Sequence, residues 1–401
     1  MIYIYILISV IVIFLVLIAY VKIKYKFWSS QPVFHFYDLK YHMFPPGIIH
    51  PELPEKNKYF RYSTQHFSYD ETTSSILSDF YKFIQTQYLR SKDARFTPSK
   101  NEIHPYFVGH NNKSYVSVTY TNKLLENTKT QNISSMKEIE SCMTTRPLYC
   151  KIHTKNDKLP SFECNYVDYL CVNKEHRGKG VACETIYTHA YHTRRKNNKV
   201  IVSIFKREDE LTAIMPMCTY TMVGFDMRKW FQTPTIPPNI GQVVPCIASN
   251  IYKMSDFIEF NKKNYDFFAT SSISNIIELM KTGNIYIYVL ITPSGEIQSM
   301  YFFRNSCLWY DSKSKVLTLF ASIQGNTSTY LFCLGAKAAL MNIRNRHREY
   351  SYLVVEDVSN NNHIIKNLEE KTRPTQKSPA GYFFYNFAYP SFKPNKVLII
   401  N

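Results

Sequence analysis

Tyr169-Leu170-Cys171-Val172-Asn173-Lys174-Glu175-His176-Arg177-Gly178-Lys179-Gly180-Val181-Ala182 decides how the rest of the chain is read. An apolar run ends at Val172, two glycines follow at 178 and 180, and a helical pattern starts at once over residues 181–195. Glycines let a backbone turn several N–H groups toward one point and approach a ligand closely. The start of a helix adds partial positive charge, and Arg177 and Lys179 add formal charge. Strand, basic glycine turn and helix together make a cradle for a diphosphate. The spacing is not GxxxxGK[ST], so the turn is not a P-loop, and without GxGxxG it is not a dinucleotide turn. A bare RGxG is a common surface feature; the apolar strand before it and the helix after it make it specific.

Working outward, residues 115–120 (YVSVTY) alternate as a strand, and 148–153 and 166–172 read as two more. After the helix at 181–195, residues 199–205 (KVIVSIF) form the next strand. Before this set, residues 72–88 carry an apolar helical stripe of Ile76, Phe80, Phe83, Ile84 and Tyr88. The cluster TPTIPPN at 233–239 breaks structure and marks a junction. A second cycle follows: helices at 254–264 and 272–280, strands at 285–291, 297–304 and 316–322, a helix at 328–346 and a strand at 352–358. The shared order implies an α+β chain of two related domains, 25–232 and 233–401. No counterpart of the glycine turn lies between Ser322 and Tyr330, so one anion site is expected for two domains.

Residues 2–21 (IYIYILISVIVIFLVLIAYV) contain no charge. Twenty residues at ~1.5 Å each match the hydrocarbon core of a bilayer. A cleaved signal peptide is the alternative, but the run is too long, lacks a basic leader and has no small-residue cleavage site. The expectation is a transmembrane signal anchor over 1–24. Lys22, Lys24 and Lys26 follow it, which places the remaining chain in the cytosol by the positive-inside rule. The sequons at Asn112, Asn132 and Asn326 would then stay unmodified.

The chain has 401 residues and a net charge of +17, with 45% hydrophobic residues, which excludes a wholly disordered protein. Its abundance of Tyr, Ile, Asn and Lys is the bias of an AT-rich genome, as in a large DNA virus or a protist, and carries no chemistry. No finger, recognition helix or RNP pattern accompanies the charge, so no nucleic-acid partner is expected. Attraction of the flanking lysines to anionic lipid is the simpler use. The cysteines number nine, with no CxxC pair, which reads as free thiols in a reducing compartment. His189 and His192 share a helix face without an acidic partner, so no metal is expected.

The stretch 177–182 resembles the Arg-x-x-Gly-x-Ala signature of GCN5-related acyltransferases, which hold the diphosphate of acyl-CoA. A closer resemblance rests on three segments in order. Tyr25-Lys26-Phe27-Trp28 with Gln31-Pro32-Val33 is similar to the YKFWxTQPV arm of eukaryotic N-myristoyltransferases. Tyr169-Leu170-Cys171-Val172 is similar to that family's FLCV strand. Phe384-Tyr385-Asn386-Phe387 and Lys396-Val397-Leu398-Ile399-Ile400-Asn401 are similar to its YLYNW…KVGLVLQ ending. The resemblance spans residues 25–401 and implies two fused GCN5-related acyltransferase-like domains after the transmembrane helix.

It also implies a chemistry. Myristoyl-CoA would lie with its diphosphate on Arg177, Gly178, Lys179, Gly180, Val181 and Ala182, flanked by Tyr25, Lys26, Phe27 and Trp28 and by the strand Tyr169, Leu170, Cys171 and Val172. The N–H groups of Tyr169 and Leu170 would stabilise the oxyanion. The amine of an N-terminal glycine peptide would attack the thioester directly, losing its proton to the terminal carboxylate of Asn401. An aromatic cluster after a membrane helix is also what an interfacial belt looks like, and Cys171 reads better as a small buried hydrophobe than as a nucleophile.

The departures concern the peptide. The family's acidic loop corresponds to the basic stretch 88–96. Its CRYWHRSLN corresponds to residues 218–226, where Tyr220 and Met222 would meet substrate, but Met222 replaces a His and cannot donate its hydrogen bond. The family's GDG turn is here Ser378-Pro379-Ala380-Gly381, and the tail is one residue shorter. Three activities stay open: long-chain acyl transfer to glycine, acetyl transfer to another amine, and an inactive, membrane-bound interaction protein.

Overall fold

The computed structural model describes residues 2–89, 95–126, 133–153, 161–208, 213–310 and 314–401. Most of the basic stretch expected at 88–96, and the sequon at Asn132, lie outside them.

Both cycles form in the expected order. In the first, strands Tyr115–Glu126, Ile133–Ile152 and Phe162–Val172 pair antiparallel, helix Val181–Lys196 crosses over, and Val202–Glu208 returns parallel to Phe162–Val172. In the second, Ile285–Ile291, Ile297–Trp309 and Lys315–Gln324 pair antiparallel. Helix Thr329–Arg346 then crosses to the parallel strand Tyr350–Glu356. The β-branched and aromatic runs of these strands explain why the strands were readable. Tyr115–Glu126, Ile133–Ile152, Phe162–Val172 and Ile297–Trp309 nevertheless run well beyond the expected 115–120, 148–153, 166–172 and 297–304, where polar and charged residues interrupt the apolar pattern.

The halves also exchange strands. Gln376–Tyr385, from the end of the chain, inserts between Val202–Glu208 and Cys218–Asp226, which in turn pairs with Tyr350–Glu356. Val397–Ile400 runs parallel to Phe267–Thr270, which joins the first-half strand Ile133–Ile152. Among the described residues one continuous sheet of 15 strands results. The Ser378–Gly381 stretch, aligned above with a turn, lies inside strand Gln376–Tyr385. That strand, Cys218–Asp226 and helix Asn361–Glu369 escaped the sequence reading because glycine, proline and polar residues interrupt their patterns.

Helix Ile2–Lys24 projects from this body with almost all of its residues exposed. At 23 residues it is long and apolar enough to cross a membrane. Only Val21, near its end, is buried.

Candidate functional site

The two parallel strands of the first half touch only briefly. Cys164, Asn165 and Tyr166 pair with Val202, Ser203 and Ile204, and beyond them the strands separate. Phe205, Lys206 and Arg207 turn instead to Phe383, Tyr382 and Gly381 on the other side. A cavity of about 780 Å³ opens in the gap. Its wall includes Val167, Asp168, Tyr169 and Leu170 from one strand and Phe205 and Lys206 from the other.

Beside the gap the outgoing strand is bulged. Thr144 pairs with Asp168 and Cys142 with Cys171, so Tyr169 and Leu170 together oppose Met143. Tyr169 has φ +43°, a left-handed conformation costing on the order of 1–3 kcal/mol for a residue with a side chain. Its ring is held by Phe80, Tyr88, Phe96 and Phe107, with centroids 5.4 to 6.4 Å away. This packing keeps the strained backbone in place.

The glycine turn follows. Gly178 and Gly180 have φ +77° and +85°, and a Cβ on either would meet nothing within 4 Å, so the cradle is open as well as left-handed. No hydrogen bond among the described residues engages the N–H groups of 177–182. Gly180 begins the helix without a side-chain cap. The equivalent helix of the second half starts at Ser328, whose hydroxyl accepts from Leu331 N–H at 3.2 Å. One crossover helix thus caps its own first turn and the other leaves its amides for something else. Ala182 and Cys183, at the head of the uncapped helix, line the cavity.

Arg177 does not point into the cradle. Its guanidinium donates to the carbonyls of Val172 at 3.0 Å and Gln87 at 2.7 Å, tying the turn to the end of helix Ser74–Gln87. Cys171 is buried, and burial pushes its thiol up to about 12 although Arg177 works against this, so it is no nucleophile near neutral pH. Val172 is buried as well, and Lys179 is exposed at the turn's tip.

The arm closes the cavity from the other side. Phe27 and Trp28 line it, and Phe27 meets Tyr59 edge-on. Gln31 accepts from the Tyr385 hydroxyl at 2.9 Å, and Asn386 N–H donates to the Pro32 carbonyl at 2.6 Å, fixing the arm to the last long strand. Tyr25 and Lys26 stay toward solvent and do not line the cavity. Residues 50–57 run over the crossover helix, where Arg194 donates to the Pro51 carbonyl at 2.9 Å and the Tyr187 hydroxyl to that of Glu55.

The remaining expected residues lie deeper. Tyr220 is buried, donates to Glu356 at 2.8 Å and stacks on Tyr382. Met222 has its sulfur 3.7 Å from Lys206 Nζ. Asn401 is 2% exposed and is not among the residues lining the cavity. Arg304 donates to its main-chain oxygen at 2.5 Å and to its side-chain oxygen at 2.6 Å.

Sequence reasoning passed over a polar layer that links cavity and terminus. Asp168, on the cavity wall, accepts from Arg146 Nε at 2.6 Å, and Arg146 reaches Ser271 Oγ at 3.2 Å. Ser271 N–H donates to the Ile400 carbonyl. Burial works against the charge of Lys206, but Glu356 and Glu208 outweigh it and hold its ammonium protonated above the usual lysine value. The visible signal was charge set among the apolar residues of four strands, at Arg146, Asp168, Lys206 and Arg304. Among the described residues no cluster of His, Cys, Asp and Glu is set to hold a metal.

No family model and no curated protein matches the sequence. The fold has clear relatives among solved structures. A Saccharomyces cerevisiae N-myristoyltransferase with bound myristoyl-CoA superposes with a TM-score of 0.68 at 13% identity, covering 92% of this chain and 94% of that one. A second structure of that enzyme with myristoyl-CoA gives 0.68 at 13%, over 92% and 89% of the two chains. A third, with myristoyl-CoA and inhibitors, gives 0.66 at 13%, over 92% of each. The chain therefore has the N-myristoyltransferase fold.

Proposed function

We propose that this protein is a membrane-anchored, N-myristoyltransferase-like acyltransferase. The observation that carries the reading is the cavity, whose single wall includes the aromatic arm, the bulge at Tyr169 and Leu170, and the head of the uncapped helix. The domain of 25–232 holds myristoyl-CoA there, with its diphosphate on the amides of 177–182 and no metal, and the domain of 233–401 completes the peptide side. Arg177 positions the turn through its carbonyl contacts, and Lys179 supplies charge. Phe27 and Trp28 flank the carrier, with Tyr25 and Lys26 on the solvent side of the arm.

In the reaction, the nitrogen of an N-terminal glycine attacks the thioester carbon. The oxygen takes up charge facing the N–H groups of Tyr169 and Leu170, the C–S bond breaks, and CoA leaves as the thiolate. The amine proton goes to a carboxylate. Asn401 is the first candidate; Asp168 is the carboxylate on the cavity wall itself. Tyr220 and Met222 face the peptide. The helix Ile2–Lys24 anchors the enzyme with its catalytic body in the cytosol.

One observation favours a second reading, an inactive descendant that binds acyl-CoA as an interaction protein: the main-chain oxygen of Asn401 is already engaged by Arg304. Incubating the full chain in nanodiscs with labelled myristoyl-CoA, labelled acetyl-CoA and a library of glycine-first peptides separates the cases. Tetradecanoyl product on the glycine α-amine supports the first reading. Acetyl product supports a GCN5-type transferase, and binding without product supports the inactive descendant.

A further inference from the structure

Helix Leu39–Met43 is five residues long and has two unlike faces. Tyr41 and His42 pack on Phe34, with ring centroids 5.9 and 4.7 Å away, and this fixes the inner face. Leu39 and Met43, four residues apart, share the outer face, and Phe44 follows. These three are 57%, 68% and 70% exposed. Three large apolar side chains held out by an ordered segment are costly in water, at about 25 cal/mol per Å².

Their position says what covers them. The segment is pinned to the emerging end of the apolar helix: Lys22 Nζ lies 5.6 Å from the Tyr37 ring, and Tyr37 stacks on His35. Val21 is buried there, and Tyr25 N–H continues the helix to the Val21 carbonyl, so the junction is packed. Lys24 lies 5.5 and 5.3 Å from the rings of Tyr20 and Tyr25, the aromatic and basic mixture suited to a headgroup layer. Lys40 adds charge on the short helix.

We propose that Leu39, Met43 and Phe44 form a second membrane contact, inserted in the bilayer interface beside the spanning helix. This rests on the membrane-spanning reading of Ile2–Lys24. Two points of contact prevent the body from swinging about the helix. Phe27 and Trp28 follow Lys24 within four residues and line the cavity, so the cavity is held at the headgroup layer, where an amphiphile with a long acyl chain resides.

The test is nitroxide depth measurement on the full chain in vesicles of zwitterionic and anionic lipid. Cys183 is the one cysteine that is not buried, so single labels are placed in a Cys183→Ser background at Met43→Cys, Phe44→Cys, Val16→Cys and Tyr62→Cys. Labels at 43 and 44 are expected to relax several-fold more with oxygen than with a polar nickel chelate, as at 16, and the label at 62 to do the reverse. Water-like behaviour at 43 and 44 with a lipid-embedded 16 overturns the second contact and leaves the span intact. Water-like behaviour at 16 overturns the span and the contact together.

Discussion

The indole of Trp28 lies flat on the ring of Phe205, with centroids 5.7 Å apart and planes 10° from parallel. Phe205 stacks in turn on Phe383. The segment that leaves the apolar helix is thereby fastened to the strand that borders the cavity. Replacing Trp28 with Ala removes that fastening. The melting temperature should fall, by an amount matching about 2–4 kcal/mol for a large aromatic in a packed wall. Acyl-CoA affinity should drop at least tenfold, because the cavity loses its roof. Wild-type affinity in a folded Trp28→Ala protein would dissociate the arm from ligand binding.

Gly180 offers a sharper probe of the cradle. Gly180→Glu sets a carboxylate at the turn proposed to hold a diphosphate and should abolish CoA binding. Any L residue there also bears the strain of φ +85°. Gly180→Asn is the control, since Asn tolerates that conformation. It should lose about 1 kcal/mol of stability and keep most of its affinity. Calorimetry on both separates charge from strain; equal loss in both would mean that conformation alone matters.

Acid should weaken the fold through His189. The ring is buried, with Nε2 3.0 Å from Thr145 Oγ1 on the cavity wall and Nδ1 2.8 Å from Ser117 Oγ. Burial, with His192 adding to it, lowers its pKa from 6.5 to about 3. The unfolded chain therefore binds an extra proton between these values. The stability contribution is fully present above pH 6.5 and is lost progressively toward pH 3. At pH 5 the loss from this one group is about 2 kcal/mol. Urea titrations of wild type and His189→Gln from pH 7 to 4.5 should show a shallower slope in the variant. Identical slopes would assign the acid sensitivity elsewhere, His66 being the next buried imidazole lowered by desolvation.

The chain's end is both buried and paired, so lengthening it is not a clean deletion of a base. One residue added after Asn401 must displace the Arg304 contact or unseat strand Val397–Ile400. Extended protein should melt lower as well as turn over more slowly. Asp168→Asn should keep affinity for acyl-CoA and lower kcat if the cavity carboxylate takes the proton. Undiminished kcat in Asp168→Asn, with kcat lost on extension at equal stability, would return that role to Asn401.

The sequence made some of this legible and hid the rest for physical reasons. The strands and crossover helices of the two cycles stood out because buried elements carry long apolar runs, as in the antiparallel strand Ile285–Ile291. The glycine turn stood out because left-handed backbone selects glycine at 178 and 180. The bulge did not, since Tyr169 adopts φ +43° through its neighbours' packing and nothing in its side chain announces it. Arg177 was readable as a charge but not as a clamp on Val172 and Gln87, because its partners are carbonyls that every residue carries. The ion pair of Arg146 with Asp168 depends on strand register, and the exchange of strands between halves depends on topology.

We propose above that the gap between the splayed strands, roofed by the arm and headed by the open turn, takes a long-chain acyl-CoA. Calorimetric titration of the full chain in nanodiscs with myristoyl-CoA and with acetyl-CoA, against empty nanodiscs, tests it directly. Saturable one-to-one binding is expected, at least a hundredfold tighter for the myristoyl compound and absent in Gly180→Glu. Equal affinity for the two thioesters, or heat that matches empty nanodiscs, would contradict it.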